Sequence, residues 1–156
     1  MIVNWDDYFV DIAEAVRHKS KDPNTQIGAV LVGPEHNIVS TGFNGFPRGV
    51  LELDPVRWER PIKYQYVEHA ERNAIYNAAR YGIKLAGCTL YLAGMGPPTA
   101  PCVECTKGVI QAGIFRVVGK AYKPIPDETR EKWEKDFEFS LVLMEEAGVI
   151  FNEWHT

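Results

Sequence analysis

The chain has 156 residues, of which 46% are hydrophobic and 24% charged, values ordinary for a globular protein that forms one domain, here over residues 1–156. Its net charge of −4 gives no general attraction to nucleic acid, so we expect no nucleic-acid partner. No stretch approaches the roughly 18 apolar residues of a membrane span, and the first residues lack the pattern of a signal peptide. We therefore expect no membrane partner and a cytoplasmic protein.

The first part of the chain predicts a helix followed by a β-hairpin. Asn4 suits a helix N-cap, acidic residues follow it, and the helix should end near residue 20. Its predicted core face carries apolar residues at helical spacing: Trp5, Phe9, Ile12, Ala13 and Val16. Residues 26–33 and 37–43 are rich in β-branched residues, and the turn between them should leave His36 in solvent.

The rest of the chain predicts alternating helices and strands after a long irregular segment. Residues 44–66 contain prolines and glycines without clear periodicity, which is typical of a functional loop, with a poorly recognised helix as the alternative. Helices are predicted at residues 70–81, 102–113 and from 127, and strands at 88–93, 114–118 and 149–151. An apolar stripe on the last helix should pack in the core: Trp133, Phe137, Leu141 and Met144. Helices that connect strands in this order predict a three-layer α/β/α sandwich.

One pair of motifs carries the chemistry: His69-Ala70-Glu71, followed by Pro101-Cys102-Val103-Glu104-Cys105. One histidine and two cysteines can supply three zinc ligands and leave the fourth tetrahedral position to water, as in catalytic zinc sites. Cys102 and Cys105 lie three residues apart at a helix start, where thiol pKa values are lowered towards the metal-binding thiolate. Redox and structural zinc pairs share the Cys-x-x-Cys spacing, whereas the complete H-x-E…P-C-x-x-C pattern resembles the signature of zinc deaminases.

Glu71 is the candidate proton carrier of this site. Zinc lowers the pKa of a water molecule from about 15.7 towards 7, and Glu71 can move the released proton to the ring nitrogen and deliver a second proton to the leaving ammonia. Two alternatives remain open. Glu71 can serve only as a charge that complements the helix dipole, or the three ligands can belong to a closed structural site. A closed site needs a fourth ligand, and the other histidines lie in distant segments: His18, His36 and His155. Cys88, in a strand-like run, is expected to be a buried apolar residue in a reducing compartment.

The chain is similar to the deoxycytidylate (dCMP) deaminase family in six segments between about residues 20 and 120. These segments are SKDPNTQIGA (20–29), TGFNGFPRG (41–49), HAERNAI (69–75), CTLY (88–91), PCVEC (101–105) and QAGI (111–114). The first two segments separate this family from other zinc deaminases. Arg72 stands where family members often carry leucine, the loop 94–100 is longer than in many relatives, and residues 52–66 match least well.

The resemblance implies a cytidine deaminase-like fold with a central five-stranded mixed sheet, and hydrolysis of dCMP to dUMP and ammonia for thymidylate synthesis. It implies Zn²⁺ bound by His69, Cys102 and Cys105, with Glu71 as the proton shuttle and Asn44 near the substrate sugar. It further implies a homo-oligomer, typically a hexamer, that dCTP activates with the help of Mg²⁺ and dTTP inhibits.

Two groups of residues are predicted to contact nucleotides. Lys21 offers a point charge and Asn24 and Thr25 offer neutral donors, which together suit a substrate phosphate. The alternative for these three is an ordinary solvated helix end and turn, and for Asn44 a loop-capping side chain. The segment that leaves the hairpin can present backbone N–H groups beside a basic side chain to an allosteric triphosphate, through Gly42, Asn44, Gly45, Phe46 and Arg48. The alternative for this segment is a plain exit loop.

Two other classes of function share the zinc motif. One is a deaminase that acts on free nucleosides or on nucleic acid, against which the net charge of −4 and the lack of a basic, aromatic strand channel argue. The other is a non-enzymatic binding module that zinc stabilises. Turnover of cytosine compounds distinguishes all three.

Overall fold

Helices and strands alternate along the chain, and the computed structural model describes residues 4–96, 99–121 and 127–155. In chain order the elements are α1 (Trp5–Arg17), β1 (Gly28–Val32), β2 (Ile38–Phe43), a 3₁₀ helix (Pro55–Trp58), α2 (Lys63–Tyr66), α3 (Ala70–Arg80), β3 (Thr89–Met95), α4 (Val103–Gln111), β4 (Arg116–Ala121), α5 (Asp127–Glu146) and β5 (Ile150–Trp154). Within these described ranges, every helix is too short or too polar to cross a bilayer.

One mixed sheet of five strands, in the order β2-β1-β3-β4-β5, forms the middle layer. Strand β1 pairs antiparallel with both β2 and β3, whereas β3, β4 and β5 run parallel to one another. Every residue of β1 is buried, which explains its uninterrupted apolar sequence GAVLV. The parallel order places the carboxyl end of β3 beside the start of α4, where the cysteine motif lies.

Helices cover both faces of the sheet. Helix α1 packs on one face of the sheet. Its side chains Phe9, Val10 and Ala13 form a core with Val30 of β1, Tyr91 of β3 and Val118 of β4. Helices α3, α4 and α5 cover the other face, with a core that includes Leu31, Ala74, Leu90, Val109, Val117 and Met144. This arrangement confirms the predicted three-layer α/β/α sandwich and its central five-stranded mixed sheet.

The predicted helix signals agree with the observed ends. The Asn4 side chain accepts a hydrogen bond of 2.9 Å from the backbone N–H of Asp6 and so caps α1. Gly82 and Gly113 follow α3 and α4 with φ values of 67° and 78°, a left-handed conformation that favours glycine after a helix end.

Two side-chain predictions differ from the structure. Trp5 does not face the core but is 51% exposed, because its indole stacks on the ring of His36 at 4.3 Å, beside the hairpin turn. Leu141 lies on the outer side of α5 and is 37% exposed, although Phe137 and Met144 of the same stripe are buried. Residues 44–66 contain the 3₁₀ helix and α2, each of four residues and therefore too short to show a periodicity.

We predict that Gly28→Ala destabilises the fold, because α1 lies directly on β1 at this position. A Cβ atom there would meet Ala13 O at 2.1 Å and Arg17 N at 2.5 Å, both backbone atoms. Overpacking of this kind costs about 1–3 kcal/mol, which lowers the melting temperature by roughly 2–4 °C per kcal/mol in a chain of this size.

Gly108→Ala in α4 is the matched control for this substitution. Its new Cβ would make an ordinary contact with Ile75 Cδ1 at 3.6 Å, and alanine is the better helix former. Thermal unfolding should show an unchanged or higher melting temperature for Gly108→Ala. Equal melting temperatures for Gly28→Ala and the parent protein would contradict the close approach.

Candidate metal centre and active site

The starts of α3 and α4 bring the histidine and the two cysteines together. His69 is the N-cap residue of α3, Cys102 is that of α4, and Cys105 lies in the first turn of α4. His69 Nδ1 is 3.4 Å from Cys102 Sγ and 3.4 Å from Cys105 Sγ. The three ligand atoms all lie within 4.8 Å of one another, and both cysteines are buried.

This cluster fits a zinc ion. Tetrahedral bonds of about 2.3 Å to sulfur and about 2.1 Å to nitrogen place the nitrogen about 3.6 Å from each sulfur, close to the 3.4 Å observed here. Within the described part of the chain, His69, Cys102 and Cys105 are the group of His, Cys, Asp or Glu side chains that lie close enough together to hold a metal ion. The remaining cysteine, Cys88, is buried in the core as predicted and lies outside the cluster.

The ligand side chains share charge before any metal binds. The hydrogen bond between the two thiols lowers the pKa of Cys102 to about 4, against the opposing effect of burial, and raises the pKa of Cys105. The hydrogen bond with Cys102 raises the pKa of His69 to about 8. These pKa shifts favour a thiolate on Cys102 beside a protonated His69. Because metal ligands are deprotonated, a bound metal ion would displace the proton of His69 and that of the remaining thiol.

Glu71 lies in the first turn of α3, two residues beyond His69, and is 2% exposed. Its Oε2 atom is buried and has no hydrogen-bond partner among the described residues. Burial raises the pKa of the Glu71 carboxyl, which favours uptake of a proton. An unpartnered buried carboxylate oxygen costs free energy in a core that needs only packing, so this atom points to a ligand or a reaction.

A cavity of about 210 Å³ opens beside the cluster, and His69, Glu71 and Cys102 line it. Its other walls combine apolar, aromatic and charged side chains: Asp22, Thr25, Ile27, Asn44, Arg60, Lys63, Tyr64, Val67, Trp133 and Phe137. Gly94 and Gly96 of the loop 94–100 also line the cavity, whereas residues 97 and 98 of that loop lie outside the described residues. Trp133 and Phe137, which the sequence predicts as packing residues only, therefore also face the site.

A buried ion pair forms one wall of the cavity. Lys63 Nζ lies 3.0 Å and 2.8 Å from the two carboxylate oxygens of Asp22, and the Lys63 and Asp22 side chains are 5% and 2% exposed. Asp22 Oδ1 also accepts hydrogen bonds of 2.8 Å and 3.1 Å from the backbone N–H groups of Asn24 and Thr25. Sequence analysis missed this pair because Lys63 lies in the segment that matches least well and the two residues are 41 positions apart.

Asn44 lines the cavity but directs its amide towards the protein. Its Oδ1 accepts a hydrogen bond of 2.8 Å from Ile27 N, and its Nδ2 donates one of 2.7 Å to Thr25 O. A weaker contact of 3.4 Å joins Asn44 Nδ2 to Asp22. The side chain therefore holds the Thr25–Ile27 backbone at the cavity wall.

The residues predicted to bind phosphate separate into two groups. Thr25 lines the cavity, but Lys21 and Asn24 do not. The Lys21 side chain is 62% exposed and forms an ion pair with Glu52. Within residues 21–25, only Asp22 and Thr25 belong to the cavity lining.

The residues predicted to bind an allosteric nucleotide lie along β2 and the segment that follows it. Phe46 stacks between Trp58 and Tyr66 at 4.3 Å and 5.2 Å, and Arg48 donates a hydrogen bond of 2.6 Å to Asn77. Gly45 pairs with Glu68 through backbone hydrogen bonds of 3.1 Å and 2.9 Å, next to the ligand His69.

Gly42 has a packing role that the sequence does not reveal. A Cβ atom at this position would lie 2.4 Å from both Ala70 O and Ala74 N of α3. Glycine is therefore required here for helix–sheet contact, independently of any nucleotide.

Glu68 and Arg72 form an ion pair beside the cluster. Glu68 Oε1 accepts hydrogen bonds from His69 N at 2.9 Å and from Arg72 Nε at 2.7 Å. Arg72 thus pairs with an acidic residue that immediately precedes the N-cap of its own helix.

Comparison with known proteins agrees with this site. Residues 3–121 match the family described as the cytidine and deoxycytidylate deaminase zinc-binding region. The deoxycytidylate deaminase of Homo sapiens is 42% identical over 122 residues, which are 74% of this chain and 64% of that protein. An uncharacterized deaminase of Aliivibrio fischeri is 39% identical over 153 residues, which are 96% of this chain and 92% of that protein. The chain thus spans less than two thirds of the human relative.

The fold is similar to that of the dCMP deaminase of cyanophage S-TIM5, solved in apo form and in complex with dCMP and dUMP. The two structures have TM-scores of 0.70 and 0.71, 22% and 23% sequence identity, and cover 99% of this chain and 100% and 99% of the phage chains. At this identity the likeness shows the fold alone. The matched residues 3–121 contain the whole metal cluster and Glu71, and the chain belongs to the cytidine and deoxycytidylate deaminase family.

Proposed function

We propose that this protein is a zinc-dependent hydrolase that converts dCMP to dUMP and ammonia. The observation that carries the proposal is the unpartnered buried Oε2 of Glu71, which lies in the same cavity as His69 and Cys102. Membership of the deaminase family supports the reaction, and the 42% identity with human deoxycytidylate deaminase supports the substrate.

The residues of the cluster have distinct proposed roles. His69, Cys102 and Cys105 hold the metal, and bound zinc supplies Lewis-acid activation of water for attack on the amino-bearing ring carbon. Glu71 takes up one proton of that water and delivers it to the neighbouring ring nitrogen. It then takes the proton of the hydroxyl group now attached to the ring carbon and passes it to the amine, which departs as ammonia while the carbonyl forms. Because burial raises the pKa of Glu71, the carboxyl holds a proton more readily than an exposed glutamate does.

The cavity walls suit a pyrimidine nucleotide. Ile27, Val67 and Phe137 offer apolar surface to a flat ring, and the polar side chains of Thr25 and Asn44 lie on the same wall. We propose that Asn44 acts near the sugar by holding the Thr25–Ile27 backbone in place at the cavity lining. Lys21 and Asn24 would then support this turn from outside the cavity.

Regulation and assembly are a further part of the proposal. We propose that dCTP, with Mg²⁺, activates the enzyme and dTTP inhibits it at the segment formed by residues 42–49, in a hexamer that feeds thymidylate synthesis. The Gly45–Glu68 backbone pairing supports this coupling, because it joins the segment to the residue that precedes His69. The three free cysteines support a reducing, cytoplasmic environment.

The metal proposal predicts one zinc ion per chain, lost in Cys105→Ala. Removal of one thiolate leaves two protein ligands, and the fold loses the binding free energy of the metal. Cys88→Ala is the matched control, because Cys88 is equally buried but lies outside the cluster. Metal analysis of the purified proteins should find zinc in the parent and in Cys88→Ala only. Full zinc occupancy in Cys105→Ala would refute the assignment.

The catalytic proposal is tested by ammonia release from dCMP, deoxycytidine, CMP, cytidine and single-stranded DNA. We expect dCMP to be the best substrate of the zinc-loaded protein. Glu71→Gln should retain zinc but lose at least about 100-fold in rate, because an amide cannot carry the proton.

Each alternative class has its own outcome in the same assay. Preference for nucleosides or DNA would favour a different deaminase. Zinc binding without turnover of any cytosine compound would favour the non-enzymatic module. Near-normal turnover by Glu71→Gln would remove Glu71 from the mechanism.

The regulatory proposal predicts that dCTP lowers, and dTTP raises, the dCMP concentration for half-maximal rate. Arg48→Gln should weaken both responses more than it lowers the maximal rate, because Arg48 lies in the segment 42–49 but not in the cavity lining. Initial-rate kinetics with each nucleotide measure this. Hyperbolic dCMP kinetics that neither nucleotide changes would exclude the regulatory part alone.

A further inference from the structure

The charges of the cavity wall leave one cation uncompensated in the described part of the chain. Apart from the metal cluster and Glu71, the charged residues that line the cavity are Asp22, Arg60 and Lys63. Asp22 and Lys63 neutralise each other at 2.8 Å. Lys63 directs its ammonium to both carboxylate oxygens of Asp22, so most of its hydrogen-bonding capacity is used within the wall.

Arg60 differs from Lys63 in both exposure and partners. It is exposed, it lines the cavity, and no hydrogen bond or ion pair of its guanidinium occurs among the residues described. Arg60 lies in the turn between the 3₁₀ helix and α2, three residues before Lys63. The lining of the cavity therefore includes a buried, neutralised pair and an exposed cation.

This position suits a phosphate group. The planar guanidinium of arginine binds phosphate through two parallel hydrogen bonds, and such charge-assisted bonds are stronger than neutral ones. Lys21, the cation that the sequence favours, is instead paired with Glu52 and lies outside the cavity lining.

We propose that Arg60 binds the 5′-phosphate of the pyrimidine nucleotide and so determines the preference for a nucleotide over a nucleoside. The assignment rests on the proposed function for the identity of the nucleotide. The Asp22–Lys63 pair has a separate, positioning role: it fixes the wall and leaves the anion to Arg60.

Equilibrium binding of dUMP and of deoxyuridine to the zinc-loaded protein tests this assignment without turnover. For Arg60→Gln, calorimetry should show the affinity for dUMP reduced by about 10- to 100-fold, the range expected for a lost charge-assisted contact. The affinity for deoxyuridine should fall much less, so the ratio between the two ligands should collapse. Inorganic phosphate alone should bind weakly to the parent and more weakly to Arg60→Gln.

Arg80→Gln is the matched control, because it removes the same charge from an exposed arginine at the opposite end of α3 from His69. It should leave the affinity for dUMP within about twofold of the parent, as expected when no direct contact is lost. Lys21→Ala should also keep the preference for dUMP over deoxyuridine.

The outcomes separate this assignment from the proposed function. Equal affinities of the parent and Arg60→Gln for dUMP, or equal losses for dUMP and deoxyuridine, would overturn the role of Arg60. Loss of inorganic phosphate binding with dUMP binding unchanged would also overturn it, since the anion would then lie outside the nucleotide site. Arg60-dependent dUMP binding without dCMP turnover would contradict the proposed reaction and leave the assignment of Arg60 standing.

Discussion

The contact between α3 and strand β2 fixes where the ligand His69 and the proton carrier Glu71 lie. Gly42 allows the helix backbone to approach so closely that a methyl group would lie 2.4 Å from Ala70 O. Side-chain hydrogen bonds then join the two elements, from Ser40 to Ala74 O at 2.7 Å and from Asn73 to Phe43 O at 2.8 Å. Because His69 and Glu71 belong to the first turn of this helix, a shift of α3 on the sheet would move a ligand and the proton carrier together.

The same contact explains why the site opens at this edge of the sheet. Strand β3 leads into the segment before α4, and the order of the sheet places that segment beside the start of α3. Two helix N-termini therefore meet, and their positive ends favour the thiolate form of the cysteines. The hydrogen bond between the thiols lowers the pKa of Cys102 and raises that of Cys105, so the pair favours one thiolate before a metal binds.

Local sequence signals predicted the parts of the site that depend on neighbouring residues. The helix caps, the hairpin turn and each half of the ligand motif, His69 to Glu71 and Cys102 to Cys105, lie within a few positions, so local sequence determines their geometry. Pairings between distant residues were not predictable in this way. Lys63 pairs with Asp22, which is 41 positions away, and Lys21 pairs with Glu52, which is 31 positions away, outside the cavity lining. Trp5 was misassigned because periodicity places a residue on a helix face but does not show what that part of the face contacts, here the exposed ring of His36.

The proposed function depends on hydrolysis, that is, on the transfer of a water oxygen to the pyrimidine ring with loss of ammonia. The most direct measurement is mass spectrometry of the product formed from dCMP by the zinc-loaded protein in water enriched in heavy oxygen, with ammonia measured in parallel. We expect dUMP that carries one heavy oxygen on its ring and one ammonia per dUMP. Recovery of unchanged dCMP from protein with a full complement of zinc would contradict the account.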